Sequence, residues 1–133
     1  MSGRVAYLDS SAFVKLVVTE PESAALRRVL TRWPDLASST LLRTEVVRAL
    51  RRSGHGHLVG PARRLIGAIR LVRLDEPLLD RGSELEPVDL RTLDAVHLAT
   101  AMAIGSDLGI FFTYDDRLGT AASAGGLIVA TPN

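Results

Sequence analysis

A chain of 133 residues, 47% of them hydrophobic, has the length and the apolar content of one domain with its own core, so residues 1–133 are expected to fold as a single unit. It has no cysteine, which excludes disulfides, thiolate chemistry and cysteine-ligated zinc and fits a reducing cytoplasm. The net charge of +1 hides a segregation, because every basic residue but Lys15 is an arginine and those between Arg43 and Arg73 stand against the lone acid Glu45, whereas the sign reverses from Asp75 to Asp94.

The opening stretch Arg4–Ser11 is an apolar run that ends in a carboxylate and two hydroxyls. Such a run suits a strand covered on both faces, as in parallel α/β sheets, whose ligand sites form beyond the carboxyl ends of the strands. Asp9 then sits at the edge of a site, or it caps the following helix through its side chain. Ser10 to Val18 reads as a short apolar helix. Thr19-Glu20-Pro21-Glu22 has the form of a capping box with proline in the first turn, starting a second helix that stops before Trp33-Pro34. Asp35 to Ser39 predicts a second strand. Ser39 or Thr40 caps a helix from Leu41 to Arg52 with an apolar arc of Leu41, Leu42, Val46, Val47 and Leu50. Glu45 falls just inside that arc, where a bare carboxylate is costly to bury, so a metal, a basic partner or a cleft must account for it. Arg43, on the arc's other side, offers a structural ion pair.

In the loop Ser53–His57, His55 and His57 lack further matched ligands and read as solvent-exposed rather than zinc-binding. A helix near Pro61 leads to a third strand, Ile69 to Leu74, and Asp75 caps a helix opened by Glu76-Pro77. The segment Asp89–Ile104 predicts a helix apolar nearly all round, hence buried. Asp94 lies near its start, where the helix dipole favours a carboxylate, and His97 one turn on reads as a hydrogen-bonded core residue rather than a ligand. The longest nearly uncharged stretch, Ala95 to Ser106, is too short to span a bilayer, and no signal peptide is apparent, so a soluble cytoplasmic protein is expected. Gly109–Asp116 repeats the opening design, followed by a helix, Arg117 to Ala124, and a last strand, Leu127 to Ala130. Alternating strands and helices argue for a parallel sheet with helices on both faces.

Asp9 and Asp115 thus end strands, Asp94 opens a buried helix and Glu45 intrudes on an apolar face, so the acids converge on one edge. Gathered carboxylates repel, which implies raised pKa values or a bound cation, and oxygen-only ligands point to Mg²⁺ or Mn²⁺. Such an ion grips phosphate and activates water, and guanidinium groups bind phosphate through two donors at once, so phosphodiester cleavage is the chemistry expected. Neutralising Asp9 should relieve the repulsion, and Asp9→Asn is expected to melt at or above wild type without metal.

Four stretches, Tyr7-Leu8-Asp9-Ser10-Ser11, Thr44-Glu45-Val46, Leu93–Ala101 and Phe112-Thr113-Tyr114-Asp115, occur in an order and spacing by which the whole chain resembles the PIN-domain family, specifically VapC-type toxins of bacterial toxin–antitoxin pairs. The resemblance implies a three-layer α/β/α sandwich with a central, mainly parallel sheet. It implies an Mg²⁺- or Mn²⁺-dependent endoribonuclease that forms a homodimer, is inhibited by a small antitoxin protein, and joins it in a heterotetramer or larger assembly. It places the catalytic acids at Asp9, Glu45, Asp94 and Asp115, with Asp9, Asp94 and Asp115 ligating metal and Asp116 as the alternative to Asp115. Ser11 and Thr113 are the supporting hydroxyls, and Arg43, Arg48, Arg51 and Arg52 the candidate RNA contacts. The rival reading is a non-catalytic RNA- or protein-binding module of the same fold, its acids merely capping helices. An aspartyl phosphatase would need an acid where Ser11 stands, and a phospho-acceptor domain a lysine after the last strand.

Overall fold

The structure, a computed structural model, describes residues 3–133. Its strands are β1 (Val5–Leu8), β2 (Asp35–Ser39), β3 (Arg70–Val72), β4 (Leu108–Phe112) and β5 (Val129–Ala130). Its helices are α1 (Ser10–Val17), α2 (Ser23–Leu30), α3 (Leu42–Arg52), α4 (Val59–Gly67), α5 (Glu76–Ser83), α6 (Thr92–Ile104) and α7 (Asp116–Ala124). The strands form one sheet in the order β3-β2-β1-β4-β5, every pairing parallel. The sheet is therefore wholly rather than mainly parallel. Because the chain winds outward from β1 to β3 and then returns to β4 on the other side, the connections diverge between β1 and β4, and a crevice opens beyond the carboxyl ends of those two strands.

β1 is buried along its whole length, and its alternating side chains feed two layers. Tyr7 packs with Phe111, Leu98 and Leu118 against α6 and α7, whereas Ala6 and Leu8 pack with Phe112, Ala12 and Leu26 against α1 and α2. Helices thus cover both faces and complete the sandwich. The arc of α3 buries Leu42, Val46 and Leu50 against Phe13 of α1 and Ile66 of α4, while Leu78 of α5 meets Val96 and Ala99 of α6. The seven residues Ala95–Ala101 of α6 are all buried, as its nearly all-apolar circumference requires.

Several boundaries differ from expectation. Thr19 caps nothing: α2 begins at Ser23, whose hydroxyl accepts from the Glu20 N–H at 2.9 Å and donates to the Val18 carbonyl at 3.2 Å, so Thr19–Glu22 is the turn between α1 and α2. α6 begins at Thr92 rather than Asp89, because the Leu90 N–H bonds the Pro87 carbonyl in a turn and Arg91 is extended (φ −61°, ψ 147°). β5 is short because the Leu127 N–H is spent on the Ala122 carbonyl.

β4 carries one surplus residue. Val5 faces Leu108 but Ala6 faces Ile110, so Gly109 bulges out of the ladder. A Cβ there would collide with the Trp33 ring and the Gly3 carbonyl, which is why the position is glycine. Among the described residues no helix is long and apolar enough to cross a membrane.

Candidate active site

The end of β1 delivers Asp9 to the crevice, and its carboxylate does two jobs. Oδ1 accepts from the Ala12 N–H at 2.9 Å and caps α1, while the Ser11 hydroxyl reaches Oδ1 at 2.7 Å and Oδ2 at 2.9 Å and the Thr113 hydroxyl donates to Oδ2 at 2.6 Å. Capping and a place in the site are not alternatives here. Asp9 is only 3% exposed, and burial pushes its carboxyl above the ordinary aspartate range against the pull of those hydrogen bonds. Ser11 and Thr113 are fixed in turn, since Ser11 Oγ accepts from the Tyr114 N–H and Thr113 Oγ1 from the Asp115 N–H.

Asp115 follows β4 as Asp9 follows β1. Its Oδ1 caps α7 by accepting from the Leu118 N–H at 3.0 Å, and its Oδ2 accepts from Arg91 at 2.8 Å. Asp94, in the first turn of α6, accepts from Arg91 Nε at 3.1 Å. Glu45 enters from α3. Its Oε1 accepts from the Ser10 hydroxyl at 2.6 Å and meets His97 Nε2 at 2.7 Å, and His97 Nδ1 lies 2.7 Å from the Tyr7 hydroxyl. Tyr7 is wholly buried, stacked on Phe111 at 5.3 Å, and burial pushes its phenol far up, so it stays a donor. The His97 ring thus bridges the Tyr7 hydroxyl on one side and the Glu45 carboxylate on the other. Burial acts to raise the Glu45 carboxyl, but His97 and the Ser10 hydroxyl outweigh it and hold that carboxyl below the ordinary glutamate range. His97 is thus the basic partner that accounts for Glu45; Arg43 is not, being exposed on another face.

These acids line one cleft of about 480 Å³, together with Ser10, Ser11, His97 and the arginines Arg48, Arg52 and Arg91. The other candidates fall elsewhere. Arg43 and Arg51 are exposed and absent from the cleft wall, because the face of α3 turned that way carries Thr44, Glu45, Arg48, Ala49 and Arg52. Asp116, the first residue of α7, is exposed and lines a separate hollow of about 680 Å³ with Glu86, Pro87 and Arg117, so Asp115 is the acid of the pair that faces the cleft. His55 lies beside His57, ring centroids 6.1 Å apart and planes tilted by 41°, with Nδ1 bonded to Ser53. Sequence reasoning missed Tyr7 and Arg91; the second had a signal, its position three residues before Asp94.

The PIN domain family matches residues 6–123. The chain belongs to that family, and it is of the VapC type. This PIN domain is 52% identical over 128 residues to Ribonuclease VapC46 of Mycobacterium tuberculosis (strain ATCC 25618 / H37Rv), covering 96% of this chain and 97% of the relative. Its fold is also that of the crystal structure of Mycobacterium tuberculosis VapC20, described as a sarcin–ricin loop cleaving toxin, with a TM-score of 0.76 at 17% identity over 96% of this chain and 99% of that one. A toxin–antitoxin complex from Klebsiella pneumoniae matches with a TM-score of 0.68 at 20% identity, over 96% and 98% of the two chains.

Whether the PIN-domain cleft suits a divalent cation turns on its donors. They are carboxylate oxygens without sulfur, the set preferred by Mg²⁺ and Mn²⁺, and a positive group, the Arg91 guanidinium, already stands between two of them. As the side chains lie, Asp9 and Glu45 are drawn to separate partners and Asp94 and Asp115 share Arg91, and among the described residues no three acids close on a single point. The donor chemistry fits the ion, and Asp9, Asp94 and Asp115 are the residues that would hold it.

Proposed function

We propose that this PIN domain, a single domain over residues 1–133, is a cytoplasmic endoribonuclease toxin that hydrolyses RNA phosphodiester bonds with Mg²⁺ or Mn²⁺ held by Asp9, Asp94 and Asp115. The observation that carries the reading is one cleft at the β1–β4 divergence lined by acids from separate elements under a rim of arginines. The identity to a protein named a ribonuclease favours RNA over other phosphodiesters. A bound divalent ion would supply the lowered pKa of an attacking water and the neutralisation of charge on the phosphoryl oxygens. The protein's own groups do the rest. Ser11 and Thr113 hold the Asp9 carboxylate at the cleft wall. Glu45 is ionised at neutral pH, and with Oε1 fixed by Ser10 and His97, Oε2 is left to orient the water. Arg48 and Arg52 take the RNA phosphates, guanidinium matching phosphate in a bidentate geometry.

The fold shared with a toxin–antitoxin complex supports an antitoxin partner; we take that partner to be a small inhibitor, bound in a heterotetramer or larger assembly built on a homodimer. A basic side chain of that partner set among the acids would satisfy them as a metal does.

Purified protein freed of any partner should cleave single-stranded RNA with Mg²⁺ or Mn²⁺ and stop in EDTA. Asp94→Asn should abolish cleavage while RNA binding, measured by filter retention, is largely kept. If Asp94→Asn cuts as fast as wild type, the role of Asp94 is wrong; if wild type binds RNA but never cuts it, the binding-module reading takes over.

A further inference from the structure

Asp94 and Asp115 come from different elements, the first turn of α6 and the cap of α7, and one side chain ties them together. Arg91 donates from Nε to Asp94 Oδ2 at 3.1 Å and from a terminal nitrogen to Asp115 Oδ2 at 2.8 Å. Among the described residues no other cation pairs with either carboxylate. Nothing packs the guanidinium into place: the Arg91 side chain is 69% exposed, against 16% for Asp94 and 25% for Asp115, so it lies over the cleft like a clasp rather than within its wall. The backbone allows this because Arg91 is extended just ahead of α6, which lets its side chain reach back over the helix's first turn.

We propose that Arg91 is an internal counter-ion that occupies the cation's place between Asp94 and Asp115 and must swing out before a divalent ion is held there. The proposal rests on the metal-dependent reading above. The two cations compete for the same pair of acids, because positive charges held side by side repel. A divalent ion of the Mg²⁺ kind binds carboxylate oxygen at about 2.0–2.1 Å and needs its lone pairs, and the same Oδ2 atoms are the ones that accept from Arg91. Arg91 therefore stabilises the metal-free acids and opposes metal loading. Once released, it joins Arg48 and Arg52, which line the same cleft, and becomes available to a substrate phosphate. An RNA phosphate that takes Arg91 away from the acids leaves them free, so substrate and metal favour each other's binding, reciprocally as linkage requires.

The test is Mn²⁺ affinity without RNA, read by the loss of the free-ion electron paramagnetic resonance signal, for wild type, Arg91→Gln and Arg91→Lys. One unit charge removed from about 6 Å of a divalent ion in water changes affinity about tenfold, and several-fold after screening by physiological salt. Arg91→Gln should therefore bind Mn²⁺ several-fold to tenfold more tightly than wild type, and Arg91→Lys, which keeps the charge, should stay within about twofold of it. Without metal, Arg91→Gln should melt below wild type, since its acids lose their counter-ion. A non-cleavable RNA, such as one carrying 2′-O-methyl groups, should tighten Mn²⁺ binding by wild type and not by Arg91→Gln. Equal or weaker Mn²⁺ binding by Arg91→Gln would overturn the proposal and make Arg91 a residue that aligns the acids for the ion. Failure of wild type and both variants to bind Mn²⁺ at all would instead overturn the metal-dependent reading beneath it.

Discussion

Replacing Asp9 by asparagine separates what the carboxylate does for the fold from what it does for a cation. In the metal-free protein the charge is held at 3% exposure, and burial has raised its pKa, so the ionised form is less favourable in the folded than in the unfolded chain. Each unit of such a rise represents about 1.4 kcal/mol withheld from stability at neutral pH. Asparagine removes the charge but keeps an acceptor for the Ala12 N–H, and its amide can face the Ser11 and Thr113 hydroxyls, which rotate to receive it. Asp9→Asn should therefore melt at wild-type temperature or a few degrees above it in EDTA at pH 7.5, given about 3–5 °C per kcal/mol for a chain of this size. The relief comes from removing the dehydration cost of one buried carboxylate, not from repulsion among acids that are already met by protein partners. Asp9→Ala should melt lower by about 1–3 kcal/mol, because it also loses the cap and strands both hydroxyls. Since a raised aspartate pKa makes the folded form bind the proton more tightly, wild type gains on Asp9→Asn as the pH falls, and the gap between them should close under acid. Millimolar Mn²⁺ should raise the melting temperature of wild type and leave Asp9→Asn nearly unmoved. If differential scanning fluorimetry finds Asp9→Asn as low as Asp9→Ala in EDTA, the buried charge is a net anchor and the reasoning fails.

His97→Gln should cost about 1–3 kcal/mol in urea unfolding, since a buried Tyr7 hydroxyl and the Glu45 carboxylate lose their shared partner. Its RNA cleavage should fall with kcat rather than KM if Glu45 acts on the water. Gly109→Ala should destabilise by about 1–3 kcal/mol through collision with Trp33 and the Gly3 carbonyl, with Mn²⁺ affinity unchanged. Arg48→Ala with Arg52→Ala should weaken RNA binding for every sequence and lower the slope of log affinity against log salt by up to about 1.4 for a single strand, whereas Arg43→Ala with Arg51→Ala should do so far less.

Much of this was legible in the chain because a parallel sheet brings every strand's carboxyl end to one edge, so an acid after β1 and another after β4 must be neighbours once the two strands pair. Glu45 announced itself by violating the apolar arc of α3. What periodicity could not carry was the identity of its partner: His97 lies 52 residues away on α6, and only the packing of α6 and α3 around β1 brings the rings and carboxylate together. Arg91 escaped for a local reason. Assigned to the helix interior, its side chain would have lain along α6; as an extended residue before the first turn, it reaches Asp115 on another element. The capping-box pattern at Thr19 misled because the same polar residues also suit a turn, here closed by the Ser23 hydroxyl between the Glu20 N–H and the Val18 carbonyl.

The surplus residue in β4 makes the strand unequal in its tolerance of length changes. Ahead of Ile110 the ladder has slack: without Gly109, Leu108 and Ile110 would simply follow one another opposite Val5 and Ala6, and the partners Tyr7–Phe111 and Leu8–Phe112 would stand. Beyond it there is none. Losing one residue between Ile110 and Phe112 would draw Tyr114 level with Asp9 in place of Thr113, turn alternate side chains to the opposite face, and set a bulky ring where a hydroxyl now donates at 2.6 Å. Natural or engineered insertions and deletions should therefore collect in the Gly105–Gly109 approach to the strand and spare Ile110–Asp115, although both segments belong to the same short stretch of chain.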